Sequence, residues 1–300
     1  MDTAAMTAKM TSGEGFIAAL DQSGGSTPKA LKAYGVDDSA WSDEAGMFAL
    51  IHEMRARIIT APSFTGDRVI GAILFERTMD GEAGGKPVPK ALQDRGIVPL
   101  LKIDKGLEAE TDGVQLMKPI DGLAALLARA KALGVYGTKE RSVVNLAHEA
   151  GIERIVAQQF EVAREVLAAG LVPIIEPEVN IKSAERGQCD RLLVAALTRA
   201  LDAHEGDPVM LKLSLPETPG LYDGLLAHPK VMRVVALSGG YDRHDACVEL
   251  AKNPGVIASF SRALLEGLRA DMDDAAFDAE LKEAIDEIYA ASTTKEAVAA

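Results

Sequence analysis

The 300-residue sequence predicts a parallel (β/α)8 TIM barrel followed by a C-terminal helix and tail. Three observations predict it. Eight short aliphatic runs punctuate the chain. Segments with helical spacing lie between many of them. The polar residues of the runs gather towards their C-terminal ends. Near-continuous apolar runs are what strands covered on both faces require. No Gly/Ser-rich linker divides the chain, so residues 1–300 are read as one barrel domain, with about 271–300 as C-terminal helix and mobile tail.

The first strand is expected in GFIAALDQ (15–22), and a helical pattern spans 43–60. VIGAILFE (69–76) and IVPLLKID (97–104) are the next two strands, followed by a helical stretch at 121–132. GVYGTKER (134–141) precedes helical residues 153–169, where EVAREVLAAGL repeats its apolar positions at helical spacing and Gly170 supplies the stop. LVPIIEPEV (171–179), helical 184–204, VMLKLSL (209–215) and VMRVVALS (231–238) come next. Helical 242–252 and VIASFS (256–261) complete the set. After Asp271 a stripe of Phe277, Leu281, Ile285 and Ile288 marks a last helix, and ASTTKEAVAA (291–300) reads as its mobile end.

Composition narrows the function classes. The chain is 48% hydrophobic but only 4% aromatic, so its core is aliphatic. Cys189 and Cys247 make no disulfide framework, which suits a reducing compartment. MDTAAMTAKM lacks a basic segment followed by an apolar one, and no apolar run approaches the ~18 residues of a membrane span. A net charge of −13 argues against nucleic acid. The expectation is a soluble cytoplasmic protein with no membrane or nucleic-acid partner.

VMLKLSLP (209–216) sets a lysine, Lys212, among aliphatic side chains. A buried, unpaired ammonium tends to lose its proton, and a free amine can attack a carbonyl to form a Schiff base. Such chemistry needs the amine pKa to fall from ~10.4 towards neutrality. The alternative is a lysine at a strand end whose head reaches water. Strand parity places Glu176 with Glu178, Lys139 with Arg141, Lys102 with Asp104, and Lys212 with Ser214 on common faces. Pointing inward, they aim charge into the C-terminal mouth, where barrels of this type hold their chemistry. A ring of purely structural ion pairs is the competing reading.

Lys102, Lys139, Arg141, Lys212 and Arg262 suggest a positive mouth on an acidic body, and hence an anionic ligand. Two small-residue loops suit phosphate: DQSGGS (21–26), with Ser23 and Ser26, and SGG (238–240), with Ser238, Gly239 and Gly240. Together they point to a doubly phosphorylated substrate. His52, His148, His204 and His228 are expected at the surface and His244 at a helix start. None forms a zinc-binding pattern, so no metal is expected. GGSTPK (24–29) does not match a P-loop.

Seven segments carry a resemblance: ILFERTM (73–79), LLKIDKG (100–106), GTKERSV (137–143), GLVPIIEPEV (170–179), LKLSLP (211–216), LSGG (237–240) and SRAL (261–264). In this order and spacing the chain resembles the class I fructose-bisphosphate aldolases of the short bacterial type, from GFIAALDQSGGS to SFSRALLEGL. The resemblance implies a metal-independent lyase without cofactor, cleaving fructose 1,6-bisphosphate in glycolysis or gluconeogenesis. It implies Lys212 as the Schiff-base lysine, Glu176 as general acid/base, Lys139 as the lysine accompanying the nucleophile, and Asp21 as the first-strand aspartate. It further implies Arg141, Glu178 and Lys102 as polar site positions, and Ser23, Ser26, Ser238, Gly239, Gly240 and Arg262 as phosphate-binding ones. The partner is then a phosphorylated sugar. The family is often oligomeric, so a homo-oligomer is an open expectation. The chain departs from the animal pattern in ending KEAVAA instead of in tyrosine, and in placing Ser261 where a glycine precedes the arginine. Three rivals stay open at this point: another Schiff-base barrel needing one phosphate site, a non-catalytic phosphate- or partner-binding barrel, and a metal-dependent aldolase.

Overall fold

The computed structural model describes residues 1–295 and bears out the barrel. Eight strands run β1 (Phe16–Leu20), β2 (Val69–Leu74), β3 (Val98–Lys102), β4 (Gly137–Val144), β5 (Val172–Val179), β6 (Val209–Ser214), β7 (Val231–Leu237) and β8 (Ile257–Ala258). They pair in parallel in this order. The main helices are α1 (Thr3–Ser12), α2 (Ser26–Ala33), α3 (Glu44–Thr60), α4 (Val88–Asp94), α5 (Leu123–Ala132), α6 (Glu149–Ala168), α7 (Arg186–Asp202), α8 (Arg243–Ala251) and α9 (Asp274–Thr293). Among the described residues no helix is long and apolar enough to cross a membrane.

Local chemistry sets the helix ends. Asp2, Asp43, Asp242 and Asp273 each accept a backbone N–H three residues on, capping α1, α3, α8 and α9. Gly170 follows the end of α6 with φ +75°, a conformation that favours glycine, and so acts as the expected stop.

Two apolar layers flank the strands. The larger packs the outer strand faces against the helices. The smaller fills the barrel itself with Ile17, Leu100, Ile174, Met210, Val235 and their neighbours. Its floor is α1, which buries Met6 and Met10. Arg233 donates from Nε to Met10 O (2.9 Å), and Tyr136 donates to Thr7 Oγ1 (3.1 Å), fixing this plug. The barrel is therefore plugged below, and its aliphatic inner layer separates this floor from the charged positions of the C-terminal rim.

Several boundaries differ from the sequence-based reading. The fourth strand is 137–144 instead of 134–141, because Gly134, at φ +82°, belongs to the turn that ends α5. Its extra length is held by antiparallel pairing with Val114–Gln115. The eighth strand shrinks to two residues, because no ladder joins it to β1. A single backbone bond crosses that seam among the described residues, from Ala19 N–H to Phe260 O at 3.0 Å. Helix α1 was not expected, since Met6 and Met10 alone make a thin apolar stripe. The last helix buries Phe277, Leu281, Ile285 and Ile288 as expected, and then continues through Ala291 and Ser292. The expected mobile end is thus helical to Thr293, and residues 296–300 lie outside the described residues.

Candidate active site

Strand register brings the site together. Arg141 pairs with Glu176 across β4 and β5, and Lys102 with Lys139 across β3 and β4. Across β5 and β6, Ile174 pairs with Met210. Two residues further along each strand, Glu176 and Lys212 meet inside the barrel.

Four side chains form a continuous ionic chain. Lys212 Nζ lies 3.0 Å from Glu176 Oε1. Glu176 Oε2 lies 2.7 Å from Lys139 Nζ, within ion-pair range though not aligned as a hydrogen bond. Lys139 Nζ lies 2.8 Å from Asp21 Oδ2. Lys212 is only 3% exposed, so the strand-end reading, with its head in water, does not hold. All four line one cavity of about 1130 Å³ at the C-terminal end of the strands.

The chain of charges sets its own protonation. Burial by itself would raise the Asp21 carboxyl, but Lys139, Lys212 and Lys102 outweigh it and hold that pKa well below the ordinary value. Burial works to lower the Lys139 pKa, yet Asp21, Glu176 and Asp104 outweigh it and raise it. Lys139 is thus a fixed cation. Burial lowers the Lys102 pKa, against the pull of Asp104. Burial also pushes the Glu178 carboxyl up, with Arg141 opposing.

The remaining expected residues divide into paired and unpaired groups. Lys102 Nζ donates to Asp104 Oδ1 (2.7 Å) and Asp104 O (3.0 Å). Arg141 Nη1 pairs with Glu178 Oε2 at 3.1 Å. Ser26 Oγ donates to Ser23 O (2.8 Å) and accepts from Ser23 N–H (3.0 Å), so its hydroxyl proton is used within the loop. Ser238 and Gly239 line the cavity, whereas Gly240 is exposed and outside the lining, and a Cβ there would stand 3.7 Å from Arg262 Nη2. Gly239 has φ +61°, and a Cβ there would stand 2.7 Å from Ile181 Cγ2, so the loop admits no side chain. Arg262 also lines the cavity, and its guanidinium makes no ion pair or hydrogen bond with the described residues.

Two expectations need correction. The mouth is not a cationic patch, because among the described residues its lining carries seven Lys or Arg and seven Asp or Glu side chains. Most cations named from the sequence are neutralised by a carboxylate on the same or a neighbouring strand, and Arg262 is the exception. Ion pairing, the structural alternative, does occur, but at one end of the barrel and around an open cavity. His204, expected at the surface, is buried against Phe160 and bonded to Asp207 O at 2.9 Å. His244 begins α8 as expected.

Sequence reasoning passed over three site neighbours. Asp104 was noted for its face but not as the partner of Lys102. Gln22 in DQSGGS and Arg55 in the 43–60 helix carry no motif that marks them as site neighbours. Arg55 sits four residues after Ile51 on the buried stripe of α3, and an arginine in an apolar stripe was the available signal.

Fold and rim together define a parallel-barrel enzyme whose cavity centres on a buried lysine–carboxylate pair. The family model described as glycolytic, fructose-bisphosphate aldolase class-I, matches residues 2–212. A curated relative, fructose-bisphosphate aldolase class 1 of Synechocystis sp., is 56% identical over 288 residues, covering 95% of this chain and 96% of its own. A solved fructose-bisphosphate aldolase from Plasmodium falciparum superposes with a TM-score of 0.79 at 21% identity, covering 99% of this chain and 95% of that one, and shares the fold. The chain belongs to the class I fructose-bisphosphate aldolase family, and its activity is that of a lyase.

Proposed function

We propose that the protein cleaves fructose 1,6-bisphosphate reversibly to dihydroxyacetone phosphate and glyceraldehyde 3-phosphate through a Schiff base on Lys212. The 3.0 Å contact between Lys212 Nζ and Glu176 Oε1 carries this reading. Glu176 is placed to take a proton from the amine, whose lone pair then attacks the C2 ketone. The carbinolamine hydroxyl accepts a proton from Glu176 and leaves as water, giving an iminium. A base removes the C4 hydroxyl proton, the C3–C4 bond breaks, and its electron pair enters the iminium to form an enamine. Glu176, touching the amine, is the first candidate for that base, and Asp21, ionised beside Lys139, is the second. Glyceraldehyde 3-phosphate leaves. Protonation of the enamine at C3 and hydrolysis then release dihydroxyacetone phosphate and the free lysine.

Lys139 stays cationic and anchors both carboxylates. Arg262, a cation without an ionic partner among the described residues, is read as holding one phosphate, with Ser238, Gly239, Ser23 and Ser26 lining the same cavity. Lys102, Arg141 and Glu178 line the sugar side of the same cavity. The reaction is read as metal-independent, taking place in one barrel domain spanning the chain, and serving glycolysis or gluconeogenesis. Two free, buried cysteines support a cytoplasmic setting.

The test is steady-state cleavage of fructose 1,6-bisphosphate in excess EDTA. Full turnover by the native protein and its loss in Lys212→Met are expected. Turnover that survives the substitution, or that requires added divalent metal, contradicts the reading.

A further inference from the structure

The barrel is weakest between β8 and β1, where one backbone bond replaces a ladder. That seam runs up to the loops on which Ser23 and Arg262 lie. Side chains bridge it at the rim. Gln22, next to Asp21, donates from Nε2 to Ser261 Oγ at 2.7 Å, joining the end of β1 to the residue before Arg262.

Gln22 is itself held from behind by Arg55 on α3. The guanidinium is fully buried. Its Nη2 donates to the Gln22 backbone oxygen and to Gln22 Oε1 (3.2 Å). Its Nη1 donates to Thr78 Oγ1 at 2.8 Å. No carboxylate lies within ion-pair distance among the described residues. Burying a charge without an ionic partner costs several kcal/mol, so an arginine serving only to fill space would be a poor choice for the position. Burial lowers its pKa to about 10, Asp21 opposing, which leaves it charged at neutral pH. With Oε1 occupied by Arg55, the amide of Gln22 is oriented so that Nε2 faces Ser261. A planar fork of donors can impose that orientation, whereas a lysine cannot.

We propose that Arg55 is a positioning residue: through Gln22 and Ser261 it clamps the β1–β8 seam at the rim, and so fixes the 21–26 loop and Arg262 relative to each other as the two halves of a phosphate-binding wall. The clamp itself is a property of the ligand-free protein. Its consequence for substrate rests on the aldolase reading above.

The experiment compares Arg55→Lys and Ser261→Ala with the parent chain. The second variant changes the far end of the bridge, at a partly exposed residue that also lines the cavity, so hydrogen exchange in ligand-free protein is its deciding readout, and it guards against misfolding of the first. Hydrogen exchange in ligand-free protein is expected to rise about tenfold in both 21–26 and 259–264, as loss of a bridging hydrogen bond allows, and to stay unchanged in β4–β6. The KM for fructose 1,6-bisphosphate is expected to rise about tenfold, with Lys212 labelling by unphosphorylated dihydroxyacetone and borohydride unchanged. Exchange within twofold of the parent in both variants, or a rise throughout the barrel, overturns the clamp. A parent protein without turnover sinks the aldolase reading instead, and the exchange comparison still decides the clamp.

Discussion

Glu176 stands between two lysines, with Oε1 3.0 Å from Lys212 and Oε2 2.7 Å from Lys139. The two contacts differ in kind. Lys139 is locked as a cation by Asp21 on its other side, so it cannot serve as the nucleophile. Lys212 has Glu176 as its one ionic partner among the described residues. One carboxylate thus bridges a permanent cation and the candidate nucleophile.

Glu176→Gln is expected to keep the fold and lose turnover. An amide cannot shuttle protons, and general acid–base help of this kind contributes about 10²–10⁴-fold. Steady-state kcat with fructose 1,6-bisphosphate checks this, and a fall of less than tenfold argues against the assignment.

Arg262→Met is expected to weaken binding more than chemistry. Removing the unpaired guanidinium forfeits a charge-assisted bond worth roughly 1.5–3 kcal/mol, a KM increase on the order of ten- to a hundredfold. Fructose 1,6-bisphosphate kinetics give the KM, and borohydride labelling by unphosphorylated dihydroxyacetone is expected to stay at the native level.

Asp21→Asn tests the electrostatics through stability. The Asp21 pKa is depressed on folding, so its contribution is present above the ordinary 3.8 and lost as pH falls through the folded value. Leaving Lys139 with one carboxylate is expected to cost about 3 kcal/mol at pH 7, the range for a broken buried pair. Urea midpoints at pH 7 and pH 3 check it, with the gap between variant and parent narrowing at the lower pH.

Glu140 makes the opposite prediction. It lies between Lys139 and Arg141 but on the outer strand face, fully buried, with no well-formed hydrogen bond to either oxygen from the described residues. Burial, reinforced by Asp104, pushes its carboxyl well above the ordinary 4.5. A raised pKa means stability fully present below 4.5 and lost progressively as pH rises towards the folded value. Glu140→Gln is therefore expected to stabilise the protein increasingly with pH, by up to ~1.4 kcal/mol per pH unit in that window. Thermal melts at pH 5 and pH 8 measure the difference.

The parts of the site legible in the sequence are those written by strand alternation. Lys139 and Arg141, Glu176 and Glu178, and Lys212 and Ser214 each sit two apart in aliphatic runs, so period 2 assigned their faces. Pairing between strands was not legible, and pairing decided the electrostatics. The five cations read as a positive mouth only while the carboxylate partners of Lys102, Lys139, Arg141 and Lys212 were unknown. The seam clamp was further out of reach. Gln22 is separated from Arg55 by 33 positions and from Ser261 by 239, and a glutamine after an aspartate carries no signal by itself. Floor helix α1 escaped for a different reason, since its burial comes from covering the end of the barrel and needs only Met6 and Met10.

The most direct measurement is to incubate the native protein with fructose 1,6-bisphosphate, reduce with borohydride, and locate the added mass by peptide mapping. The account predicts one ketose-derived adduct, on Lys212. No adduct, or an adduct on Lys139 or Lys102 in its place, contradicts it.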